Sequence, residues 1–159
     1  SKNALCPAAR LLALPAVRTR PAHALSLHGL PCFWARKENA MPQKIAIVLH
    51  AAPYGSERCL SALRIANMLA AHDAQPEVTV FLMSDATVLA LPGQNDGQGG
   101  QGLQSHLQML IEAGATVRVC RTCAQNRGLL ELPLLPGTAI GNLTELTDWI
   151  MAADKVLTF

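Results

Sequence analysis

Short apolar runs alternate with longer amphipathic segments along residues 44–159. Lys44 to His50 (KIAIVLH) and Glu77 to Met83 (EVTVFLM) are nearly continuous apolar runs with many β-branched residues, which is typical of strands buried on both faces. Further strands are predicted at Ala115 to Cys120, at Thr138 to Gly141 and at Lys155 to Phe159. The pattern therefore predicts five strands.

Amphipathic segments separate these strands. Leu60, Leu63 and Ala66 recur at three- and four-residue spacing, which predicts a helix over 56–72 with its N-cap at Gly55-Ser56. Other helices are predicted at 103–113, at 124–130, from Asn142 or Thr144 onward, and as one or two turns after Ser84-Asp85. Strands that alternate with helices indicate right-handed crossovers, so we expect an α/β fold: a three-layer α/β/α sandwich around a five-stranded parallel sheet.

Three polar loops follow predicted strands: His50 to Ser56, Ser84-Asp85, and Cys120 to Cys123. The strands of a parallel sheet all end at one edge, and ligands bind in the crevice outside those carboxyl ends. We therefore expect the three loops to meet around Cys120.

The two cysteines in Cys120-Arg121-Thr122-Cys123 are the candidate catalytic residues. Arg118, Arg121 and Arg127 flank them, and positive charge lowers the pKa of a thiol and so favours the reactive thiolate. This pattern indicates sulfur chemistry. Thioredoxin-like disulfide exchange and a Cys-x-x-Cys pair without function are alternatives that the spacing leaves open.

Several single residues are candidate supporting residues with competing structural roles. His50 is placed to hydrogen-bond near Cys120 or to make a structural contact at the strand end. Ser84 and Asp85 are placed to orient a ligand, although Asp85 is equally suited to cap the segment that follows. Tyr54 is placed to reach the site, a neighbouring subunit or the core. Cys59, beside Leu60 in a predicted helix, is expected to be a core residue.

Composition narrows the class of protein. The five cysteines are an odd number without a disulfide framework, which favours a reducing compartment, and we expect the cytoplasm. No apolar run is long enough to span a membrane.

Two further kinds of site are not expected. A zinc site needs four ligands, and the Cys-x-x-Cys pair supplies only two, so no metal is expected. No cofactor is expected either. Gly97 to Gly100 lacks the Lys and Ser/Thr of a phosphate loop, and the segment Gly93 to Gly102 is predicted to be an irregular loop.

Residues 1–40 differ from the remainder of the chain. They carry six Lys/Arg against the single acid Glu38, whereas residues 41–159 carry seven basic and ten acidic residues. They contain four prolines and show no sustained helical or strand period. We predict an N-terminal extension, transit-like or upstream of a natural start at Met41, that is not part of the fold, followed by a single domain over 41–159. Because the basic excess lies in this extension, no nucleic-acid partner is expected.

Four ordered motifs over residues 43–159 resemble the YchN-like branch of the DsrE/DsrF family. The motifs are Ala52-Pro53-Tyr54-Gly55-Ser56-Glu57, Phe81-Leu82-Met83-Ser84-Asp85-Ala86, Cys120-Arg121-Thr122-Cys123 with Arg127-Gly128, and the ending Ala153-Asp154-Lys155-Val156-Leu157-Thr158-Phe159. The resemblance implies an α/β/α sandwich that assembles as a homohexamer or a related ring. Better understood members of the family pass sulfur as a cysteine persulfide.

By position, Cys120 is similar to the cysteine that bears the persulfide in this family, and Arg127-Gly128 to an Arg-Gly pair in its loop. Cys123 has no counterpart in the classical sulfur carriers, and a second thiol there can attack a persulfide on Cys120 and release sulfide. Two hypotheses follow: a sulfur carrier or sulfurtransferase-like protein with a donor or acceptor protein as partner, and a non-catalytic oligomeric module that binds a small ligand. Whether the protein is an enzyme stays open.

Overall fold

The computed structural model describes residues 41–95 and 102–159. Its strands are β1 (Lys44–Leu49), β2 (Glu77–Leu82), β3 (Thr116–Cys120), β4 (Thr138–Gly141) and β5 (Lys155–Thr158). All neighbouring strands are parallel, and their order across the sheet is β4-β3-β2-β1-β5. The predicted five-stranded parallel sheet is confirmed.

The connections between strands are mostly helical. The α-helices of the described residues are α1 (Arg58–Ala70), α2 (Gly102–Glu112), α3 (Arg121–Asn126) and α4 (Leu143–Ala152), and a 3₁₀ helix covers Ser84–Ala90. Asn142 is the N-cap of α4, because its side-chain oxygen accepts the backbone N–H of Glu145 at 2.9 Å. No helix in the described part of the chain is long and apolar enough to cross a membrane.

Each face of the sheet carries its own hydrophobic cluster, because successive side chains of a strand point to opposite faces. On one face Ile45, Ile47 and Leu49 of β1 pack in a large cluster with residues of α1 and α2. On the other face Val48 and Phe81 pack in a smaller cluster with residues of α4. Helices therefore cover both faces, and the predicted α/β sandwich is confirmed. Cys120 belongs to the smaller cluster.

The predicted boundaries of two helices are wrong. Helix α1 begins at Arg58 rather than Ser56, and its N-cap is Glu57, which makes no side-chain capping bond. Helix α3 begins at Arg121, directly after β3, rather than at Ala124. It ends at Asn126 rather than at Leu130. Gly128 follows with a φ of +67°, the left-handed conformation that glycine adopts easily.

The other predicted bounds agree with the structure to within a residue or two. For example, strand β1 ends at Leu49 rather than His50, and strand β2 ends at Leu82 rather than Met83. Gly114 follows α2 with a φ of +92°, and its N–H bonds the carbonyl of Ile111 at 2.9 Å, as expected of a glycine that ends a helix. Part of the predicted glycine-rich loop, 96–101, and the whole extension 1–40 lie outside the described residues.

Candidate functional site

The candidate site is the junction of β3 and α3, where the chain turns from strand to helix at Cys120. Because the helix starts at Arg121, both cysteines of the motif lie at this junction rather than in a loop. The backbone N–H groups of Cys123 and Thr122 approach the Cys120 sulfur, and both lower its pKa. Such amides stabilise a thiolate or any other anion that forms on the sulfur.

Cys120 is nevertheless a buried thiol. It is 2% exposed and packs with Val48, Phe81 and Leu146. The partly buried side chains of Met83, Cys123 and Trp149 border this cluster. Phe81 and Trp149 meet edge to face, with ring centroids 5.9 Å apart. The sulfur therefore lies in an apolar environment from which water is largely excluded.

Burial is the main cause that raises the pKa of Cys120 above its ordinary value. The hydrogen bond and the charge of the Cys123 side chain raise this pKa further, and the two backbone amides lower it. The prediction that flanking positive charge lowers the pKa of Cys120 is wrong in this structure, because desolvation outweighs the favourable contacts. The side chains of the two cysteines therefore interact.

The three flanking arginines do not converge on the thiol as free cations. Arg118 forms an ion pair with Glu145 of α4, in which its Nε donates to the carboxylate at 2.9 Å. Arg127 forms an ion pair with Asp85 at 2.7 Å. Arg121 is exposed to solvent. Carboxylates from other elements thus compensate two of the three charges, which explains why these arginines do not lower the pKa of Cys120.

Asp85 and Arg127 connect the end of β2 to the cysteine motif. The Arg127 guanidinium donates two hydrogen bonds to one Asp85 oxygen, at 2.7 and 3.2 Å, and a third to the carbonyl of Cys123 at 3.1 Å. Asp85 does not cap the helix that follows it, because Met83 is the N-cap there and makes no side-chain bond. The capping alternative is therefore wrong, and the carboxylate serves to hold Arg127.

Ser84 precedes this carboxylate in an unusual backbone conformation. Its φ of +47° is left-handed, which costs about 1 kcal/mol for a residue other than glycine. The buried Thr87 hydroxyl donates to the Ser84 carbonyl at 2.8 Å and holds the turn. The turn redirects the chain at the carboxyl end of β2, and Asp85 follows it at once.

The loop after β1 contacts the segment that follows the 3₁₀ helix. The Tyr54 hydroxyl donates to the side chain of Gln94 at 2.8 Å, and Gln94 in turn bonds the carbonyls of Val88 and Leu91 at 2.7 Å each. Tyr54 is 54% exposed, so its ring is not a core element. Gly55 and Ser56 are exposed beside it.

His50 lies apart from this group. Its backbone N–H donates to the Phe159 carbonyl at 2.8 Å, next to β5, and its side chain lines a cavity with Arg58 and Thr158. Among the described residues the His50 imidazole has no hydrogen bond, to Cys120 or to any other group. His50 is therefore not part of the group in which Arg127 bonds Asp85 and Cys123 directly.

Cys59 is a core residue, as predicted. It is fully buried, and its thiol donates to the Ala51 carbonyl at 3.2 Å. Burial raises the pKa of Cys59. A thiol without access to solvent and with a raised pKa is poorly suited to react.

Sequence reasoning missed Glu145 and Trp149, which both come from α4. Asn142 and Glu145 stand three apart, the spacing of a helix start, and this was the signal that a carboxylate enters the first turn of α4. Nothing in the local sequence indicated that this turn lies beside β3.

The comparison with curated proteins finds relatives over the same part of the chain. YchN of Escherichia coli is 44% identical over 117 residues, which is 74% of this chain and 99% of the relative. An uncharacterized protein of Methanopyrus kandleri is 36% identical over 115 residues, 72% of this chain and 93% of the relative.

Two solved structures are similar to this chain. The crystal structure of E. coli YchN covers 74% of this chain and 99% of its own, with a TM-score of 0.70 at 44% identity. A conserved Bacteroides thetaiotaomicron protein of unknown function covers 76% of this chain and 100% of its own, with a TM-score of 0.55 at 18% identity, and shares the fold alone. The DsrE/DsrF-like family model matches residues 43–159. The chain belongs to the DsrE/DsrF-like family.

Proposed function

We propose that this protein is a sulfur carrier that accepts a sulfane sulfur as a persulfide on Cys120 and passes it on. The observation that carries the proposal is the approach of the Thr122 and Cys123 amides to the Cys120 sulfur, beside a second thiol. A binding module does not need two interacting thiols at the carboxyl edge of its sheet. Family membership supports the proposal, because the family is associated with sulfur relay.

The transfer is a thiol exchange that needs no metal and no organic cofactor. The Cys120 thiolate attacks the outer sulfur of a donor persulfide, R–S–SH. A new sulfur–sulfur bond forms on Cys120, the old bond breaks, and the donor leaves as the thiolate R–S⁻. No net oxidation occurs. The terminal sulfur then passes to an acceptor thiolate by the same step in reverse.

The bound sulfur has a second possible reaction, with Cys123. Its thiolate can attack the inner sulfur of the Cys120 persulfide, so that hydrosulfide leaves and a Cys120–Cys123 disulfide remains. In this step the sulfane sulfur is reduced and the two cysteine thiols are oxidised, which balances the electrons. A fresh cycle then needs a thiol reductant, as a reducing compartment such as the cytoplasm supplies.

The apolar surroundings of Cys120 suit a carrier. Val48, Phe81 and Leu146 keep water from the sulfur, which slows the loss of a bound persulfide to solvent thiols. Cys123 is only partly buried, and a donor reaches the pair from its side. The raised pKa of Cys120 means that a donor's approach must accompany loss of the proton, which protects the resting thiol from indiscriminate reaction.

Mass spectrometry of the intact protein tests the proposal. After incubation with a persulfide donor, the native chain should gain the mass of one sulfur atom, and Cys120→Ser should not. Cys123→Ser should keep the adduct and lose it more slowly. Cys59→Ser is the matched control, because Cys59 lies away from the pair. If Cys120→Ser still takes the sulfur and Cys123→Ser does not, the roles are reversed; if no form takes it, the protein is not a carrier.

We also propose that the subunit assembles with copies of itself, as a homohexamer or a related ring. Large apolar side chains are exposed on two sides of the described domain: Met68, Met109, Leu143, Ile150 and Met151. Closed symmetric assembly is the usual way to cover such surface. Multi-angle light scattering should report an oligomer at micromolar concentration, and a stable monomer would contradict the proposal.

A further inference from the structure

The cavity that His50 lines opens at the carboxyl ends of β1 and β5, separate from the cysteine pair. Its volume is about 530 Å³. The residues that line it are His50, Ala51, Arg58, Thr158 and Phe159. None of them belongs to the group that links Asp85, Arg127 and Cys123.

This cavity lies at the topological switch point of the sheet. From β1 the strand order runs outward through β2, β3 and β4, whereas β5 lies on the opposite side of β1. In open α/β sheets, ligands bind in the crevice outside the carboxyl ends of the strands at which the order reverses. Cys120 ends β3, two strands and about 10 Å away from β1. The cavity therefore lies at a position where this fold favours a ligand, apart from the thiols.

Two of the polar side chains that line the cavity have no partner among the described residues. Within residues 41–95 and 102–159, the side chains of His50 and Arg58 form no hydrogen bond and no ion pair. This contrasts with Arg118 and Arg127, each of which has a carboxylate partner. Glu57 precedes Arg58 in the chain but does not line the cavity.

The walls of the cavity are held by hydrogen bonds. The His50 N–H donates to the Phe159 carbonyl at 2.8 Å, and the Phe159 N–H donates to the Val48 carbonyl at 3.0 Å. The Cys59 thiol donates to the Ala51 carbonyl at 3.2 Å, which ties the start of α1 to the end of β1. The cavity is therefore a preformed feature of the fold, as small-molecule sites usually are.

We propose that this cavity binds a small organic anion, such as a carboxylate or a phosphate ester with an apolar group. The Arg58 guanidinium and a ring N–H of His50 contact the anionic group, since both can donate to it. Ala51 and the Phe159 ring contact the apolar part. This site is independent of the proposed sulfur transfer, because neither cysteine contributes to it.

Titration of the full chain with phenyl phosphate, followed by the backbone amide signals in NMR, tests the site. We expect saturable shifts at Ala51 and Thr158, and at least a tenfold weaker affinity in Arg58→Gln and in His50→Gln. Arg64→Gln is the matched control, because Arg64 lies on the same helix outside the cavity and should leave the affinity unchanged.

Phenol, the neutral counterpart of the probe, should shift these signals far less. The proposal is overturned if phenyl phosphate causes no saturable shift at these residues, if phenol binds equally well, or if Arg64→Gln weakens binding as much as Arg58→Gln does. Cys120→Ser should bind phenyl phosphate like the native chain. A failure of the sulfur-transfer proposal can therefore be distinguished from a failure of the anion-binding proposal.

Discussion

The Arg127 guanidinium donates one hydrogen bond to the Asp85 carboxylate at 2.7 Å and another to the Cys123 carbonyl at 3.1 Å. These two contacts join the turn after β2 to the helix that carries the second thiol. Because the side chains of Arg127 and Asp85 are 31% and 60% exposed, water screens the pair, and its contribution lies in orientation more than in stability.

A double-mutant cycle measures this pair. Asp85→Asn and Arg127→Gln should each lower the free energy of unfolding by less than about 1 kcal/mol, with a coupling energy of about 0.2–1 kcal/mol. Asp148→Asn, an exposed carboxylate on α4, is the control and should not couple to Arg127→Gln. Equal coupling for both carboxylates, measured by urea denaturation, would contradict a specific pair.

Stability should fall at alkaline pH through the buried thiols. Burial raises the pKa of Cys59 and of Cys120 in the folded state. Above the unfolded pKa of about 8.5, the unfolded chain has lost protons that the folded chain keeps, so the free energy of unfolding decreases as pH rises. The stabilisation is fully present below that pH.

Urea denaturation under reducing conditions, between about pH 7 and about pH 10, tests this effect. The decrease in the free energy of unfolding should be smaller in Cys120→Ala than in the native chain. A pH dependence that is identical in the two proteins would show that ionisation of this thiol is not linked to folding.

The three described thiols should react with iodoacetamide in the order Cys123, Cys120, Cys59. Cys123 is partly exposed, Cys120 is 2% exposed with a raised pKa, and Cys59 is fully buried. Peptide mapping after timed labelling gives the order, and labelling in urea, where all three are accessible, is the control. Native labelling of Cys59 as fast as Cys123 would contradict the described burial.

The N-cap of α4 should contribute measurably to stability. Asn142→Ala removes the acceptor of the Glu145 N–H and should lower the free energy of unfolding by about 0.5–2 kcal/mol. Thr144→Ala, an exposed neighbour in the first turn, should cost less. Equal losses in the two variants would show that the cap is not the cause.

Deletion of residues 1–40 should leave the melting temperature nearly unchanged. The segment has no periodic apolar face, and the family match begins at residue 43. A fall of more than about 5 °C, which corresponds to roughly 1 kcal/mol, would show that the segment packs on the domain. Differential scanning calorimetry of the two chains measures the change.

The sequence by itself determined the elements and the fold class. The runs at Lys44–Leu49 and Glu77–Leu82 form strands because both faces of a parallel sheet are buried, and their short length and β-branched residues favour a strand over a buried helix. It also put Cys120 at the end of a strand, since the alternation of apolar and polar residues from Ala115 stops there. The start of α3 was not predicted, because six residues with few apolar positions carry no helical period.

Only the tertiary structure decided the electrostatics of the site. Arg118 and Arg127 stand near Cys120 in sequence, which suggested a stabilised thiolate. Their partners come from 27 and 42 residues away, on α4 and after β2, and no local pattern indicates such partners. Burial against Phe81 is likewise a property of the assembled sheet. Residue type and spacing set local conformation, whereas the pKa of a thiol depends on which distant groups the fold brings around it.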